Sequence, residues 1–479
     1  MDPQAKTGTS AEKDNENSFP TPKAPLRNVA DFYRRQPIYD RRIHILGVGS
    51  VGRFIAHSLR GIPNPPPITL LFHRGGLLKE WNESSKKLQL ITDGSSEKQG
   101  GFDVELAIPR PRFHGKEVKP EENVQDPSTS SVSPDATHQL IDGESNEPIN
   151  SLIMCVKAPN ILSALSAVKH RLHPESVILF FQNGMGTVEE VSREIFPDPQ
   201  TRPHYMLGIN SHGMHTSPDD PFTATHAGFG TISIGIIPHE RNQEPGPYSP
   251  TLQFKPGFHE PAKIPVTPKN PANPNSSMRE PMPYFSRWTP NSRYLLRSLL
   301  RTPVLCATAF SPPDLLQLQL EKLAVNCIVN PLTVMLDARN GSILYNYHLT
   351  RAMRLLLSEI SLVIRSMPEL QYIPNVEQRF DPGRLETMVV GVANKTRDNI
   401  SSMLADVRAG RRTEIEYING WVVKRGEELG IRCFMNYMMM NLVKGKNAMI
   451  QLEMGEAVPF VETRPGEDGI KIQGETGEG

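Results

Sequence analysis

The sequence predicts an α/β domain with a largely parallel sheet, followed by an all-helical domain. Short apolar runs rich in β-branched residues alternate with helical patterns in the first half of the chain, as is typical of a parallel sheet covered by helices. From residue 291 onward the apolar residues recur with a helical period. The hydrophobic fraction is low, at 38%, and proline is frequent, with 44 residues, which predicts polar segments between the folded parts.

Composition divides the chain into two folded domains and three segments that we expect to be irregular. In order, these are a disordered extension at 1–40, an α/β domain at 41–238 with a polar insertion at about 110–148, a proline-rich insertion at 239–289, a helical domain at 290–452 and a flexible tail at 453–479. Proline removes a backbone donor and fixes φ, so we expect neither a helix nor a central strand in the proline-rich insertion.

Each element of the folded domains is predicted from its own apolar pattern. In the α/β domain these are strands at 42–46, 68–72, 151–156 and 176–181, a last strand region of the same sheet at 226–235, and helices at 51–60 and 160–170. In the helical domain, long helical periods cover 315–336, 349–367, 385–392 and 414–429.

Charge, hydropathy and cysteine usage argue against several classes of function. The 52 basic and 52 acidic side chains balance, so no overall field favours nucleic acid or a membrane as a partner. No apolar run reaches the ~18 residues that a bilayer-spanning helix needs. The 4 cysteines are widely scattered, which is typical of free thiols in a reducing compartment. The acidic first 20 residues favour the cytosol, with mitochondrial import as the alternative.

A glycine motif joins the first predicted strand to the first predicted helix. The residues of this G-x-G-x-x-G motif are Gly47, Val48, Gly49, Ser50, Val51 and Gly52. Its first glycine permits a tight turn, its second lets the backbone approach a pyrophosphate, and its third lets the helix pack on the strand. The helix N-terminus then offers N–H groups to the phosphates. Because the flanking strand–helix–strand pattern is complete, the motif predicts a Rossmann-type dinucleotide site.

The end of the second predicted strand indicates which dinucleotide binds. NAD sites usually carry an acidic residue there, whereas this chain has His73 and Arg74. A guanidinium suits the 2′-phosphate of NADP, so we expect NADP(H) in preference to NAD(H). The alternative is an Arg74 side chain that is only solvated at the surface.

The first long helix of the helical domain is predicted to carry a polar stripe. Lys322, Asn326 and Asn330 are spaced four residues apart, so they lie along one face of the helix, while apolar residues cover the other sides. Polar groups on an otherwise apolar helix need partners, which would be water, other side chains or a substrate. A solvated amphipathic face is the alternative explanation.

Two neighbouring glutamates differ in their expected roles. Thr413 and Glu416 have the spacing of a capping box, so we expect Glu416 to cap a helix. Glu414 gains less from capping and is the better candidate for chemistry. Its alternative role is to complement the helix dipole in the first turn.

Together these segments resemble the ketopantoate reductase (2-dehydropantoate 2-reductase) family. The glycine motif matches the nucleotide turn of the family, and residues 182–186 resemble its asparagine–glycine segment beside the nicotinamide. Residues 322–341 resemble the catalytic-lysine helix and its continuation, and residues 401–420 are similar to the C-terminal signature. The extension, insertions and tail go beyond the compact bacterial members and indicate a eukaryotic, fungal type of member.

The resemblance implies NADPH-dependent reduction of ketopantoate to pantoate, a step toward pantothenate and coenzyme A. The site would lie between a Rossmann domain and a helical domain of the 6-phosphogluconate dehydrogenase C-terminal type. Lys322 would be the catalytic lysine, and Glu414 would accept from the substrate hydroxyl and pair with Lys322. By the same resemblance the substrate would contact Asn326, Asn330, Asn399 and Ser402, and the cofactor would lie near Lys157, Asn183 and Arg74.

The predicted partner is a small 2-oxo acid, with neither nucleic acid nor a membrane, and a homodimer is the oligomer considered. No metal site is expected, because the histidines considered lack metal-ligand spacing; these are His212, His215, His226 and His348. Reduction of another branched 2-oxo acid is one rival function, since fold and cofactor do not define substrate size. A non-catalytic NADP-binding sensor or scaffold is another, although it would have no need for the whole set of polar site residues.

Overall fold

The computed structural model of the chain describes residues 41–109, 112–113, 116–117, 142–217, 220–239 and 288–455. The expected extension, most of both insertions and nearly all of the tail lie outside these residues. Among the described helices, none combines the length and the hydropathy that crossing a bilayer requires.

The described strands form three sheets. In chain order the strands are β1 (Ile43–Leu46), β2 (Ile68–Phe72), β3 (Lys87–Thr92), β4 (Ser95–Gly100), β5 (Asp103–Leu106), β6 (Arg112–Phe113), β7 (Lys116–Glu117), β8 (Ser151–Met154), β9 (Val177–Phe180), β10 (His204–Asn210), β11 (Gly213–Thr216), β12 (Thr223–Gly228), β13 (Ile232–Ile236) and β14 (Ala307–Ala309). The large sheet has the order β14-β13-β10-β9-β8-β1-β2-β5, and the small sheet has the order β11-β12-β3-β4. β6 and β7 pair with each other.

Helices cover the large sheet and make up most of the second half of the chain. They are α1 (Ser50–Arg60), α2 (Gly75–Glu83), α3 (Ile161–Val168), α4 (Thr187–Glu194), α5 (Pro290–Leu300), α6 (Pro312–Leu336), α7 (Tyr347–Arg365), α8 (Val376–Arg379), α9 (Pro382–Lys395), α10 (Ser402–Arg408), α11 (Asn419–Glu428) and α12 (Phe434–Gly455). Hydroxyl caps begin three of them, because the side chain of Thr289 accepts from Ser292 N, that of Ser311 from Asp314 N and that of Ser401 from Leu404 N. The predicted order, an α/β part followed by helices, is confirmed, but the predicted boundary at 290 is wrong, because Leu295 and Leu299 of α5 lie in the core of the large sheet and β14 is a strand of that sheet.

The centre of the large sheet explains where a site can form. β1, β8 and β9 are buried at every position, and β1 pairs in parallel with both β2 and β8. The carboxyl ends of these parallel strands therefore meet at one edge of the sheet. In open α/β sheets, ligands bind in the crevice outside that edge.

The prediction for residues 226–235 is wrong in part, because two strands of different sheets occupy this stretch. Thr223–Gly228 pairs with β3 in the small sheet, whereas Ile232–Ile236 joins the large sheet antiparallel to β10. The chain turns between them at Gly230, where a Cβ would overlap the backbone of Ser211. α1 contacts strands of both sheets, so the small sheet covers the outer side of this helix.

A proline inside α6 ties this helix to α11. Pro331 has no N–H, so it cannot donate to the carbonyl oxygen of Cys327 one turn earlier. The side-chain amide of Asn419 donates to that oxygen instead, at 3.0 Å, and also to Asn436 Oδ1. Asn419 is fully buried. The start of α11 is therefore held against the middle of α6.

Candidate active site

The glycine motif forms the turn between β1 and α1. Gly47 has a φ of 99°, and a Cβ there would overlap the backbone nitrogen of Val156. A Cβ on Gly52 would overlap the carbonyl oxygen of Gly47. Gly49, by contrast, has nothing within 4 Å of an ideal Cβ, and α1 begins after it without a side-chain cap. The turn therefore leaves open space before the N-terminus of α1, as a pyrophosphate requires.

The other predicted cofactor residues lie around this turn. Val48 and Val51 are half-buried and pack against the core of the large sheet, and Ser50 begins α1. Arg74 follows β2, which neighbours β1, and stands exposed immediately before α2. Arg74 and the glycine turn thus share the same edge of the sheet.

Lys322 is directed from α6 toward the ends of two strands. Its Nζ donates to Asn183 Oδ1 at 2.9 Å and to the carbonyl oxygen of Asn210 at 2.7 Å. Burial lowers the pKa of Lys322 to about 8, and the nearby Glu414 carboxylate acts in the opposite direction. An ammonium has three N–H groups, so one remains for a further acceptor.

Asn183 connects Lys322 to Glu414. Its Nδ2 donates to Glu414 Oε2 at 3.1 Å, and Glu414 Oε1 accepts from the backbone N–H of Ala158 at 3.1 Å. Burial raises the pKa of Glu414, while the bonds from Ala158 and Asn183 oppose this rise. Lys322 and Glu414 make no direct ion pair within the described residues, because the amide of Asn183 stands between them.

Lys157 pairs with an acidic residue that the sequence did not single out. Its ammonium contacts the carboxylate of Asp406, which also accepts from Arg411 Nε at 3.1 Å. The Asp406 side chain is only 3% exposed. The sequence could have indicated Asp406 through its position on α10. It follows Ser402 by four residues and therefore lies on the same face of the helix.

The remaining predicted residues lie along α6 beyond Lys322 and at the start of α10. Asn326 lines the same cleft as Lys322, and Asn330, one turn later, is 7% exposed. Ser402 is exposed at the start of α10, next to a 2.7 Å hydrogen bond between Ser401 and Thr333 of α6. Asn399 is half-buried. Within the described part of the chain, the side chains of Asn326, Asn330, Asn399 and Ser402 make no hydrogen bond.

The cleft beside Lys322 combines polar and apolar walls. Its lining residues are Gln182, Asn183, Gly184, Leu207, Gly208, Ile209, Gln319, Lys322, Leu323 and Asn326. Two of its features were not assigned a role from the sequence. The Asn210 carbonyl acts through the backbone, and Gln182 orients the segment by donating to the carbonyl oxygens of Met154 and Val156.

The loop that carries Asn183 is fixed against the segment after Glu414. Gly184 has a φ of 82°, and a Cβ there would overlap the carbonyl group of Tyr417. Met185 N donates to that same carbonyl oxygen at 2.8 Å. The absence of a side chain at Gly184 therefore lets the two segments meet and keeps Asn183 close to Glu414.

The capping-box prediction for Thr413 and Glu416 is wrong. Glu414 precedes a short 3₁₀ turn, Ile415–Tyr417, which has no side-chain cap, and α11 begins only at Asn419. Glu416 forms an ion pair with Lys444 at 2.6 Å. The predicted helix over 414–429 is interrupted because Glu414 and the Tyr417 carbonyl both bond to the strand-end loops.

Fold and site together define a class: Rossmann-type proteins in which a helical part closes a lysine-bearing cleft at the strand ends. The model "Ketopantoate reductase PanE/ApbA" matches residues 43–239, and "Ketopantoate reductase PanE/ApbA C terminal" matches residues 314–447. The chain belongs to the ketopantoate reductase family, which confirms the resemblance seen in the sequence.

Relatives with curated names include two kinds of reductase. A probable 2-dehydropantoate 2-reductase of Schizosaccharomyces pombe is 30% identical over 302 residues, covering 63% of this chain and 75% of that protein. Ketoisovalerate reductases of Gibberella fujikuroi and Beauveria bassiana are each 25% identical and cover 82% of this chain and 79% of their own length.

Solved structures share the fold. The 2-dehydropantoate 2-reductase from Geobacter metallireducens aligns with a TM-score of 0.55 at 15% identity, covering 84% of this chain and 99% of that one. D-mandelate dehydrogenase with NADH and anilino(oxo)acetate aligns with a TM-score of 0.53 at 15% identity, covering 85% of this chain and 99% of that one.

Within the described residues, no cluster of three side chains could hold a metal ion.

The glycine turn gives a prediction about stability. We expect Gly52→Ala to lower the free energy of unfolding by about 3 kcal/mol, because the new methyl group overlaps the Gly47 carbonyl. Gly49→Ala should cost less than about 1 kcal/mol, because its methyl group enters open space. Urea unfolding of both variants measures the difference, and equal losses would contradict the described turn.

Proposed function

We propose that this protein reduces ketopantoate to pantoate with NADPH. The observation that carries the proposal is the Lys322 ammonium, which points into the cleft at the strand ends with its pKa lowered and one N–H unused. A proton donor in this position is what reduction of a ketone needs, because negative charge develops on the carbonyl oxygen. The family supports the same reaction class.

The cofactor proposal rests on the turn and on Arg74. The space before α1 suits a pyrophosphate, and the exposed Arg74 at the end of β2 suits a 2′-phosphate. When bound, NADPH supplies the hydride. We propose that residues 47–52 hold its pyrophosphate, that Arg74 selects NADPH over NADH, and that Lys157 and Asn183 lie beside the bound nicotinamide half.

Lys322 is the proposed proton donor. Asn183 and the Asn210 carbonyl position its ammonium, and the remaining N–H points to the substrate oxygen. A pKa of about 8 leaves Lys322 mostly protonated at neutral pH while making it a stronger acid than an exposed lysine. Both properties favour transfer of its proton as the alkoxide forms.

The polar side chains along α6 and α10 are the proposed substrate contacts. The Asn330 side chain is largely buried and makes no hydrogen bond within the described residues, so its amide is available to a ligand in the cleft. We propose that Asn326, Asn330, Asn399 and Ser402 bind the carboxylate and hydroxyl of ketopantoate. Glu414, whose carboxylate is held by Ala158 and Asn183, accepts from the substrate hydroxyl.

Ketoisovalerate is the second candidate substrate. The ketoisovalerate reductases align with 82% of this chain, against 63% for the Schizosaccharomyces pombe relative. Ketoisovalerate lacks the hydroxymethyl group of ketopantoate, and the apolar cleft residues Leu207, Ile209 and Leu323 suit its branched chain. The polar side chains beside the cleft favour ketopantoate, because its hydroxyl gives them a further hydrogen-bond partner that ketoisovalerate lacks.

The central experiment measures NADPH oxidation with a panel of 2-oxo acids. We expect ketopantoate to exceed ketoisovalerate in kcat/KM, and we expect Lys322→Ala to lower kcat by roughly 10²–10⁴-fold. The affinity of Lys322→Ala for NADPH, measured by fluorescence titration, should stay near that of the parent protein. The lower kcat would then reflect the chemical step and not a loss of cofactor binding. A higher kcat/KM for ketoisovalerate would show that ketoisovalerate is the preferred substrate. Full activity of Lys322→Ala would refute the role of Lys322 as proton donor.

The reaction should depend on pH through Lys322. Because the ammonium form is present below its pKa of about 8 and lost above it, kcat for reduction should fall as pH rises past 8. Glu414→Gln removes the charge that raises this pKa, so the alkaline limb should move to lower pH. Glu416→Gln, whose carboxylate pairs with Lys444 instead, is the matched control and should leave the limb in place.

Arg74 should decide the preference for the cofactor. We expect Arg74→Asp to weaken NADPH roughly 10–100-fold relative to NADH, because a charge-assisted hydrogen bond to the 2′-phosphate is replaced by repulsion. Lys79→Asp makes the same charge change further along α2 and serves as the control. The ratio of kcat/KM with NADPH to kcat/KM with NADH measures the effect. An unchanged ratio for Arg74→Asp would show that another residue selects NADPH over NADH.

A further inference from the structure

Two histidines form a hydrogen-bonded pair where the chain passes between the large sheet and the small sheet. His212 lies between β10 of the large sheet and β11 of the small sheet, and His226 is in β12, before the chain returns to the large sheet. The Nδ1 atom of His212 is 3.0 Å from the Nε2 atom of His226. Both side chains are buried, and both rings contact the ring of Phe54 in α1. We call these two residues the histidine pair.

The hydrogen bonds of the histidine pair define where its protons are. The backbone N–H of Gly230 donates to His212 Nδ1 at 3.1 Å, so this nitrogen carries no proton. His212 Nε2 is 3.1 Å from the carbonyl oxygen of Leu305, which can only accept, so this second nitrogen carries the proton. His226 must then donate through its Nε2 to His212 Nδ1. His212 is therefore neutral, with both ring nitrogens used.

Asn210 connects the histidine pair to the Lys322 ammonium. The carbonyl oxygen of Asn210 accepts from Lys322 Nζ at 2.7 Å. The side chain of Asn210 accepts from the backbone N–H of His212 at 3.1 Å. Because the two residues are so close in the chain, a displacement of His212 also displaces the carbonyl group that Lys322 uses.

Two segments of the chain run side by side at this point. Ser211 N donates to the carbonyl oxygen of Thr231 at 2.9 Å, and Thr231 N donates to Ser211 Oγ at 2.7 Å. A Cβ on Gly230 would overlap the backbone of Ser211, so the two segments are in close contact. Among these links, the bond from Gly230 N to His212 Nδ1 is the one that a proton can break, because amides and hydroxyls do not titrate near neutral pH.

We infer that His212 is a positioning residue for Lys322: the neutral histidine pair holds the Asn210 carbonyl against the ammonium, and protonation of His212 releases it. A protonated Nδ1 would face the N–H of Gly230, so two donors would meet and the two segments would separate. The inference rests on the proposed role of Lys322 as proton donor. It adds a second titration to the reaction, on the acidic side.

Burial determines the pH range of this release. It lowers the pKa of His212, against the opposing effect of the Leu305 carbonyl. It also lowers the pKa of His226, and His212 acts in the same direction. The Gly228 backbone and the Asp93 carboxylate oppose this second shift. Because both pKa values lie below the ordinary 6.5 of histidine, the neutral pair is present above that pH and is lost on acidification below it.

The charged side chains around the histidine pair do not titrate in its place. On α1, Arg53 donates to the carbonyl oxygen of Thr223. His57, one turn later, contacts the carbonyl oxygen of Glu97 at 3.1 Å. Asp93, in the turn between β3 and β4, is the charged group that acts on the pair. A carboxylate stays ionised between about pH 5 and 7, so the acidic titration belongs to the pair itself.

Two substitutions at position 212 separate the hydrogen bond from the titration. In the parent protein we expect kcat to fall as the pH drops below 6.5. His212→Asn keeps a side-chain acceptor in the place of Nδ1 but cannot be protonated, so this acidic fall should disappear. His212→Phe keeps a ring beside Phe54 but has no acceptor, so the Asn210 carbonyl should move away from Lys322 at every pH. We expect kcat of His212→Phe at pH 7 to be roughly tenfold lower, with unchanged affinity for NADPH.

The pKa of Lys322 can be measured without any substrate, which separates this inference from the proposed function. The pH dependence of its acetylation by acetic anhydride, followed by mass spectrometry, gives the midpoint. A carbonyl acceptor stabilises the ammonium, so its loss in His212→Phe should lower the midpoint from about 8 by roughly 0.5–1 pH unit. His57→Phe is the matched control, because His57 is also buried but is bonded to β4. It should leave the midpoint and the acidic fall in place.

The outcomes distinguish positioning by His212 from a purely structural role. An unchanged midpoint in folded His212→Phe, or an acidic fall that persists in His212→Asn, would overturn the inference. If circular dichroism shows that His212→Phe does not fold, the acidic fall in the parent protein and its loss in His212→Asn decide the question. If the parent protein reduces no 2-oxo acid, the proposed function fails, and the midpoint of Lys322 acetylation alone decides whether His212 positions this lysine.

Discussion

The amide of Asn183 is the interaction on which the arrangement of the cleft depends. It accepts from the Lys322 ammonium and donates to the Glu414 carboxylate, so the two charged groups are coupled without being in contact. A direct ion pair would have occupied the ammonium and left less of it for a ligand. The bridge requires three separate parts of the chain to meet: the loop after β9, the helix α6 and the turn after Glu414.

Much of this could be predicted because it is local in the sequence. The glycine turn requires only its own spacing and the flanking apolar runs, and the polar stripe of α6 follows from a four-residue repeat. The predicted helix over 315–336 lies within the observed Pro312–Leu336. The strands at 68–72 and 151–156 were predicted for the same reason, since buried parallel strands are continuous apolar runs.

What could not be predicted depends on contacts between distant residues. The small sheet joins β3 to β12, and neither strand has a run that distinguishes it from those of the large sheet. The Lys322 ammonium uses the carbonyl of Asn210, which any residue type would supply. Thr413 and Glu416 have the spacing of a capping box, but the bonds of Glu414 and Tyr417 to the strand-end loops override this local preference.

Pro331 and Asn419 have a consequence for how the chain can vary. The proline removes a hydrogen bond from α6 and the asparagine supplies its replacement, although 88 positions separate them in the sequence. While position 331 is proline, an apolar residue at 419 would leave that oxygen unpaired, whereas a residue with an N–H at 331 would restore the helical hydrogen bond. The cost of a substitution at 419 therefore depends on the residue at 331, so we expect the two positions to vary together in evolution.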